Sequence, residues 1–244
     1  MINKDDLLFS RVDDMIFQHE KGGKTVFSSF LDEREQGILT PFLKNRRVVF
    51  DFYGGFDESE RKLLSVGECD KSDFPITPFT LDYRSEYKLS HRDILGSLMG
   101  LGINRGSVGD ILCKEGESVV FVTDEIAVYV KENLTKAGRV GISIREGLPK
   151  ELPAVHDFTE INKTISSERL DCAVSALINS GRSQASELIC SGLVALNHRE
   201  ELKPIKKIAN GDVISIRGYG KFNIKSIDLK THKGRIKLIA LKYL

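Results

Sequence analysis

Apolar positions recur at helical spacing through Leu8, Val12, Met15 and His19, with Asp13, Asp14 and Glu20 on the opposite side. The chain therefore opens with an amphipathic helix, and Gly22-Gly23 ends it. A second helix is predicted from Ser29 to about Leu39, with Pro41 near its exit or starting another turn. Arg47–Tyr53 reads as a strand closed by Gly54-Gly55, and Glu58–Leu64 as a short helix. These elements define a small N-terminal α/β unit over residues 1–74, which carries no chemical motif.

Ser72–Pro78 reads as a linker or a strand entry with two prolines. Phe79, Leu81 and Tyr83 then alternate as in a strand. Ser90 starts a helix with Asp93 reaching back to it, and Ile94, Leu95, Leu98 and Met99 form its apolar face. Ile111–Cys113 and Val119–Val122 are two strands of a hairpin turned through Lys114–Glu117. Thr123 or Asp124 caps a helix to about Lys136, and Val140–Ile144 is the closing strand. The order β-α-β-β-α-β over residues 75–150 is the ferredoxin-like plan that RNA-recognition (RRM) domains share. An RNA-stacking member needs aromatics on its central strands. Here the third strand offers only Phe121 and the first Phe79 and Tyr83, which read more simply as core residues.

Leu148–Pro153 is a linker by composition. A third unit is expected over residues 164–244, giving an α+β chain of three small domains. Ser166 or Ser167 starts its first helix, with Leu170, Ala173, Val174 and Leu177 inward and Arg169 in the first turn pointing out. Arg182 follows the break at Ser180-Gly181, and Ser183 is a candidate N-cap for a helix from Gln184 to Ser191. Gly192–Asn197 enters a strand, Gly211-Asp212 is a turn, and Val213–Arg217 is a second strand before Gly218-Tyr219-Gly220-Lys221. Lys203, Lys206 and Lys207 add loop charge. Lys230, Lys233, Arg235 and Lys237 flank a hairpin through His232-Lys233-Gly234, where a solvated charged face competes with RNA contact.

Charge sharpens this division. The net charge is +1, yet residues 1–163 hold 22 Lys and Arg against 28 Asp and Glu, and residues 164–244 hold 14 against 7. The terminal unit is thus basic, and it would be drawn to polyanions. A helix N-terminus beside an arginine suits phosphate, because the guanidinium fork can bond two oxygens together. Cys69, Cys113, Cys172 and Cys190 form no C-x-x-C pair and no zinc spacing, so metal ligands and cofactors are not expected. No nucleotide-binding, serine-hydrolase or zinc-protease signature occurs, and the five histidines are scattered, so no catalytic residue is assigned. The opening residues carry no apolar leader and no apolar run reaches bilayer length, so a cytoplasmic location without membrane contact is expected.

From Ser167 to Lys221 the order of motifs resembles the S4 RNA-binding module, of the αL type. With that placed, His91–Arg105 followed by Gly109-Asp110-Ile111 resembles the YlmH-like S4-domain proteins, which are linked to the cell-division gene region. The resemblance implies an N-terminal α/β domain, an RRM-like domain and a C-terminal S4 domain. It also implies a non-enzymatic factor of ribosome-associated quality control, one that binds rRNA and tRNA on the large ribosomal subunit carrying a stalled peptidyl-tRNA and supports C-terminal tailing. Carried over by motif, Arg169 and Arg182 would contact RNA, with Ser183, Gln184, Arg217 and Lys221 beside them. Two alternatives stand next to this. One is an RNA-modifying or tRNA-charging enzyme with an S4 appendage. The other is a division regulator acting through protein contacts.

Overall fold

The computed structural model describes residues 4–153, 158–228 and 235–243. The chain divides into two compact units, residues 1–155 and 156–244.

The first unit begins with α1 (Lys4–Gly22), β1 (Val26–Phe27), α2 (Glu33–Arg46), β2 (Phe50–Tyr53) and β3 (Leu63–Val66). The three strands are antiparallel in the order β1-β3-β2. The segment expected as a helix over Glu58–Leu64 instead leads into the central strand β3. All four residues of β3 are buried, so the sequence shows a short apolar run without the alternation that marks a one-sided strand. Helix α2 also differs from expectation. Asp32, not Ser29, caps it, in a reciprocal box: Glu35 N–H donates to Asp32 Oδ1 (2.8 Å) and Asp32 N–H to Glu35 Oε2 (2.9 Å). The helix runs through Pro41 because Leu39 and Leu43, both fully buried, anchor its two sides.

Next come β4 (Ile76–Asp82), α3 (His91–Gly100), β5 (Val108–Lys114), β6 (Glu117–Thr123), α4 (Asp124–Asn133), β7 (Lys136–Ala137), β8 (Val140–Gly141) and β9 (Ser143–Glu146). The sheet order is β5-β6-β4-β9 with antiparallel neighbours, the β-α-β-β-α-β plait read from the sequence. The closing strand starts at Ser143. Val140-Gly141 pairs with Lys136-Ala137 in a separate ribbon.

The two faces of this sheet have different coverings. Phe79, Leu81, Val120 and Val122 pack with Ile94 and Leu98 of α3 and Val130 of α4. On the other face Leu112, Val119 and Phe121 pack against Phe30, Leu63 and Phe74. Phe56 stacks on Phe121 with ring centroids 5.0 Å apart. Base stacking in RRM domains needs an open aromatic face. Here the face bearing Phe121 is closed by side chains of residues 27–74.

The motif Gly109-Asp110-Ile111 sits in this joint. The Asp110 carboxylate accepts from Glu60 N–H (2.7 Å) and Arg61 N–H (3.1 Å). A Cβ on Gly109 would lie 2.8 Å from the Phe30 ring. Arg61 donates to the carbonyls of Phe30 (3.0 Å) and Val108 (3.1 Å). Arg105 donates to Val108 and Gly109, and burial together with the neighbouring Arg61 charge lowers it to about 10. These residues therefore weld the first strands to the plait.

The second unit comprises β10 (Phe158–Ile165), α5 (Leu170–Leu177), α6 (Arg182–Cys190), β11 (Val194–Leu196), β12 (Arg199–Glu200), β13 (Val213–Ile216), β14 (Gly220–Asp228) and β15 (Ile236–Tyr243). The antiparallel sheet runs β10-β15-β14-β13-β11-β12. Residues ahead of position 164 belong to it, since β10 pairs with β15 from Phe158↔Tyr243 to Ile165↔Ile236. Leu170, Ala173, Val174, Ala185 and Ile189 of the helices meet Ile214, Ile216, Phe222 and Ile224 of the sheet in one core. The hairpin expected through His232-Lys233-Gly234, with Lys230, lies outside the described residues.

Candidate nucleic-acid interface

Helix α5 starts one residue after Arg169. Arg169 is its cap residue in extended conformation (φ −103°, ψ 148°), not a residue of its first turn as the sequence suggested. Backbone pairing holds it there. Leu170 N–H donates to Lys206 O (2.8 Å), Asp171 N–H to Pro204 O (3.0 Å) and Ile208 N–H to Glu168 O (3.0 Å). Arg169 forms an antiparallel bridge with Lys207. The loop that the sequence marked only as charged thus runs alongside Arg169, and Lys203, Lys206 and Lys207 on it are exposed.

Asp171 is the node of the site. It stands in the first turn of α5, and its Oδ1 accepts from Cys172 N–H (2.9 Å). It also receives both arginines. Arg169 donates through Nε to Oδ1 (3.1 Å) and through Nη2 to Oδ2 (2.9 Å), and Arg182 donates through Nη2 to Oδ2 (2.8 Å). The Asp171 side chain is 3% exposed, while Arg169 and Arg182 remain 37% and 54% exposed. Burial pushes the Asp171 carboxyl up, but hydrogen bonds and charge from Arg182 and Arg169 outweigh it and hold the group below its ordinary value. The Asp171 bond in turn raises Arg182. Two guanidinium groups around one buried carboxylate leave one net positive charge, with the outer donors turned to solvent.

Ser183 and Gln184 are exposed in the first turn of α6. The cap of that helix is Gly181, in extended conformation with no side-chain cap bond, so Ser183 lies inside the helix instead of capping it. The first N–H groups of a helix lack intrahelical partners and attract anions, and here Arg182 flanks them.

Arg217 and Lys221 lie elsewhere. Arg217 is exposed just past β13, and its N–H donates to Leu193 O (2.9 Å), three residues beyond the C-terminal end of α6. Arg182 is at the other end of that nine-residue helix, about 13 Å away along its axis. Lys221 pairs with Ser215, whereas Ile214, Ile216 and Phe222 face the helices. Lys221 is therefore on the opposite sheet face, with its Nζ 4.5 Å from the Tyr243 ring centroid. The structure brings together Arg169, Arg182, Ser183 and Gln184, adds Lys206 and Lys207, and sets Arg217 and Lys221 apart.

Among the described residues no helix is long and apolar enough to cross a membrane, and no group of His, Cys, Asp and Glu could hold a metal ion.

A plait whose stacking face is closed, followed by a helix pair on a sheet with paired arginines, defines the class: a multi-domain α+β chain. A family model described as "Putative RNA-binding domain in YlmH" matches residues 69–150. The ribosome-associated protein quality control protein P2 of Bacillus subtilis (strain 168) is 34% identical over 215 residues, covering 85% of this chain and 83% of that one. The chain belongs to this YlmH family. The solved structure of cell division protein ylmH from Streptococcus pneumoniae matches with a TM-score of 0.52 and 22% identity, over 61% of this chain and 94% of that one, a likeness of fold.

Proposed function

We propose that this protein is a non-enzymatic RNA-binding factor of ribosome-associated quality control. It binds rRNA and tRNA on the large subunit holding a stalled peptidyl-tRNA, and its second unit acts as an S4 module in the cytoplasm. The observation that carries the reading is the convergence of Arg169 and Arg182 on buried Asp171. A lone surface arginine spends entropy to order its side chain on a ligand. Two guanidinium groups already fixed by one carboxylate spend less, and their remaining donors can take phosphate oxygens.

The same geometry argues against acid–base chemistry at this place. Asp171 is buried, held ionised and saturated by two arginines and an amide, so it is a poor proton acceptor. The name of the B. subtilis relative supports the ribosomal context, and the family model supports RNA as partner.

The test is sedimentation of the purified protein with dissociated ribosomal subunits and with large subunits carrying peptidyl-tRNA. The protein is expected in the large-subunit fraction, enriched when peptidyl-tRNA is present. Recovery only in the soluble fraction, or equal recovery with both subunits, contradicts the reading.

A further inference from the structure

A second cationic feature adjoins the Arg169–Arg182 fork. An open groove of about 560 Å³ lies near Arg217, but Glu200 is part of its wall. A different groove, of about 370 Å³, lies between α5, the start of α6, β10 and the entry to β15. Lys163 on β10, Arg182 on α6 and Arg235 just ahead of β15 line it, with Thr164, Ser166, Ser175, Asn179 and Ser180 among its polar residues. No carboxylate is among its described lining residues.

The placement of these cations is built, not incidental. Lys163 sits on β10 opposite Leu238, and its Nζ donates to Asn179 Oδ1 (2.6 Å). Asn179 holds the left-handed conformation (φ 53°) that turns the chain out of α5. Ser180 N–H donates to Ser175 O (2.9 Å) and Ser175 Oγ to Ser180 O (2.7 Å), which fixes the turn leading to Arg182. Arg235 is exposed just ahead of β15. Three positive side chains, one of them, Arg182, already bonded to the carboxylate of Asp171 behind it, surround hydroxyls and an amide and form a site for an anion with several acceptor oxygens.

We infer that this groove takes the RNA backbone phosphate next to the one held at the Arg169–Arg182 fork, with Arg182 shared between the two and Lys163 and Arg235 as further RNA contacts. The inference rests on the fork being an RNA site. The groove adds two contacts on strand β10 and at the entry to β15, outside the Ser167–Lys221 span in which the S4 pattern occurs. An RNA strand would cross from the N-terminus of α6 toward the β10–β15 edge.

The test uses the full chain and unfractionated tRNA as probe, with affinity measured across a series of KCl concentrations. Removing one cation that neutralises a phosphate lowers the slope of log affinity against log salt by roughly 0.7–0.9. K163Q/R235Q is expected to weaken binding about tenfold and lower the slope by roughly 1.5, with unchanged thermal unfolding. R169Q/D171N/R182Q serves as the fork control. If K163Q/R235Q leaves affinity and slope unchanged while the fork variant weakens binding, the groove is not an RNA contact. If the groove variant weakens binding and the fork variant does not, the fork reading fails and the shared-phosphate path with it. If neither changes, both are overturned.

Discussion

Arg182 Nη2 lies 2.8 Å from Asp171 Oδ2, across the turn between two helices, and the carboxylate is almost wholly buried while the guanidinium is half exposed. This pair sets which substitutions can report on RNA binding. Replacing both Arg169 and Arg182 by Glu would place two carboxylates against a third that is already buried, and unfolding would mask any loss of binding. Gln at both positions with Asn at 171 removes the charges together and keeps hydrogen-bonding groups.

Arg182→Ala alone is expected to destabilise the second unit and lower its urea midpoint, because it leaves a buried carboxylate short of a partner. Adding Asp171→Asn should recover part of that loss. Urea unfolding of the single and double variants measures both, and an Arg182→Ala variant as stable as the parent would show that the pair carries little.

Asp171 also predicts a pH dependence. Its folded pKa lies below its ordinary value, so it binds protons less well in the folded than in the unfolded chain. Its stabilising contribution is present above the unfolded carboxylate pKa of about 3.9 and is lost as pH falls through the lower folded value. Asp110 in the first unit has the opposite sign. Burial raises its pKa, so its contribution favours the fold at low pH and is lost as pH rises through that raised value. Acid titration followed by amide exchange should therefore show Asp171→Asn flattening the loss of protection in α5 and α6 below about pH 4.

Phe121→Ala should lower the stability of the first unit by about 3–5 kcal/mol, since the ring is fully buried between the plait and Phe56. Its effect on RNA affinity, measured below the melting point, should be small. A selective loss of binding in a folded Phe121→Ala variant would mean that the closed face opens to take a base.

Gly109→Ala is expected to be as damaging as a core truncation, because its Cβ would meet the Phe30 ring at 2.8 Å and the Phe121 Cβ at 3.1 Å. The thermal midpoint of the variant checks this directly.

Much of the fold was legible because its signals are local. Ser90 and Asp93 mark the start of α3, and the structure shows their reciprocal bonds. The alternation through Phe79 and Leu81 marks a strand with one face on helices. Signals that depend on distant pairing were not legible. Strand β10 reads Phe-Thr-Glu-Ile-Asn-Lys-Thr-Ile, polar at three of four positions on one face and two of four on the other, and is a strand because β15 pairs with it along its whole length. Lys163 was missed for the same reason. Arginine pairing on Asp171 is likewise tertiary. The sequence marked Arg169 and Arg182 separately, and only the packing of the 204–208 segment against 168–171 turns Arg169 toward the Asp171 carboxylate. Arg217 and Lys221 look adjacent along the chain, yet pleat and helix length carry them away from the fork.

The most direct test of the central claim is co-sedimentation of R169Q/D171N/R182Q with large ribosomal subunits, alongside a check of its fold by circular dichroism. A folded variant that no longer sediments with the subunit at about 150 mM salt is the predicted result, since binding through phosphates is steeply salt-dependent. A folded variant that sediments like the parent would place the RNA contact elsewhere on the molecule.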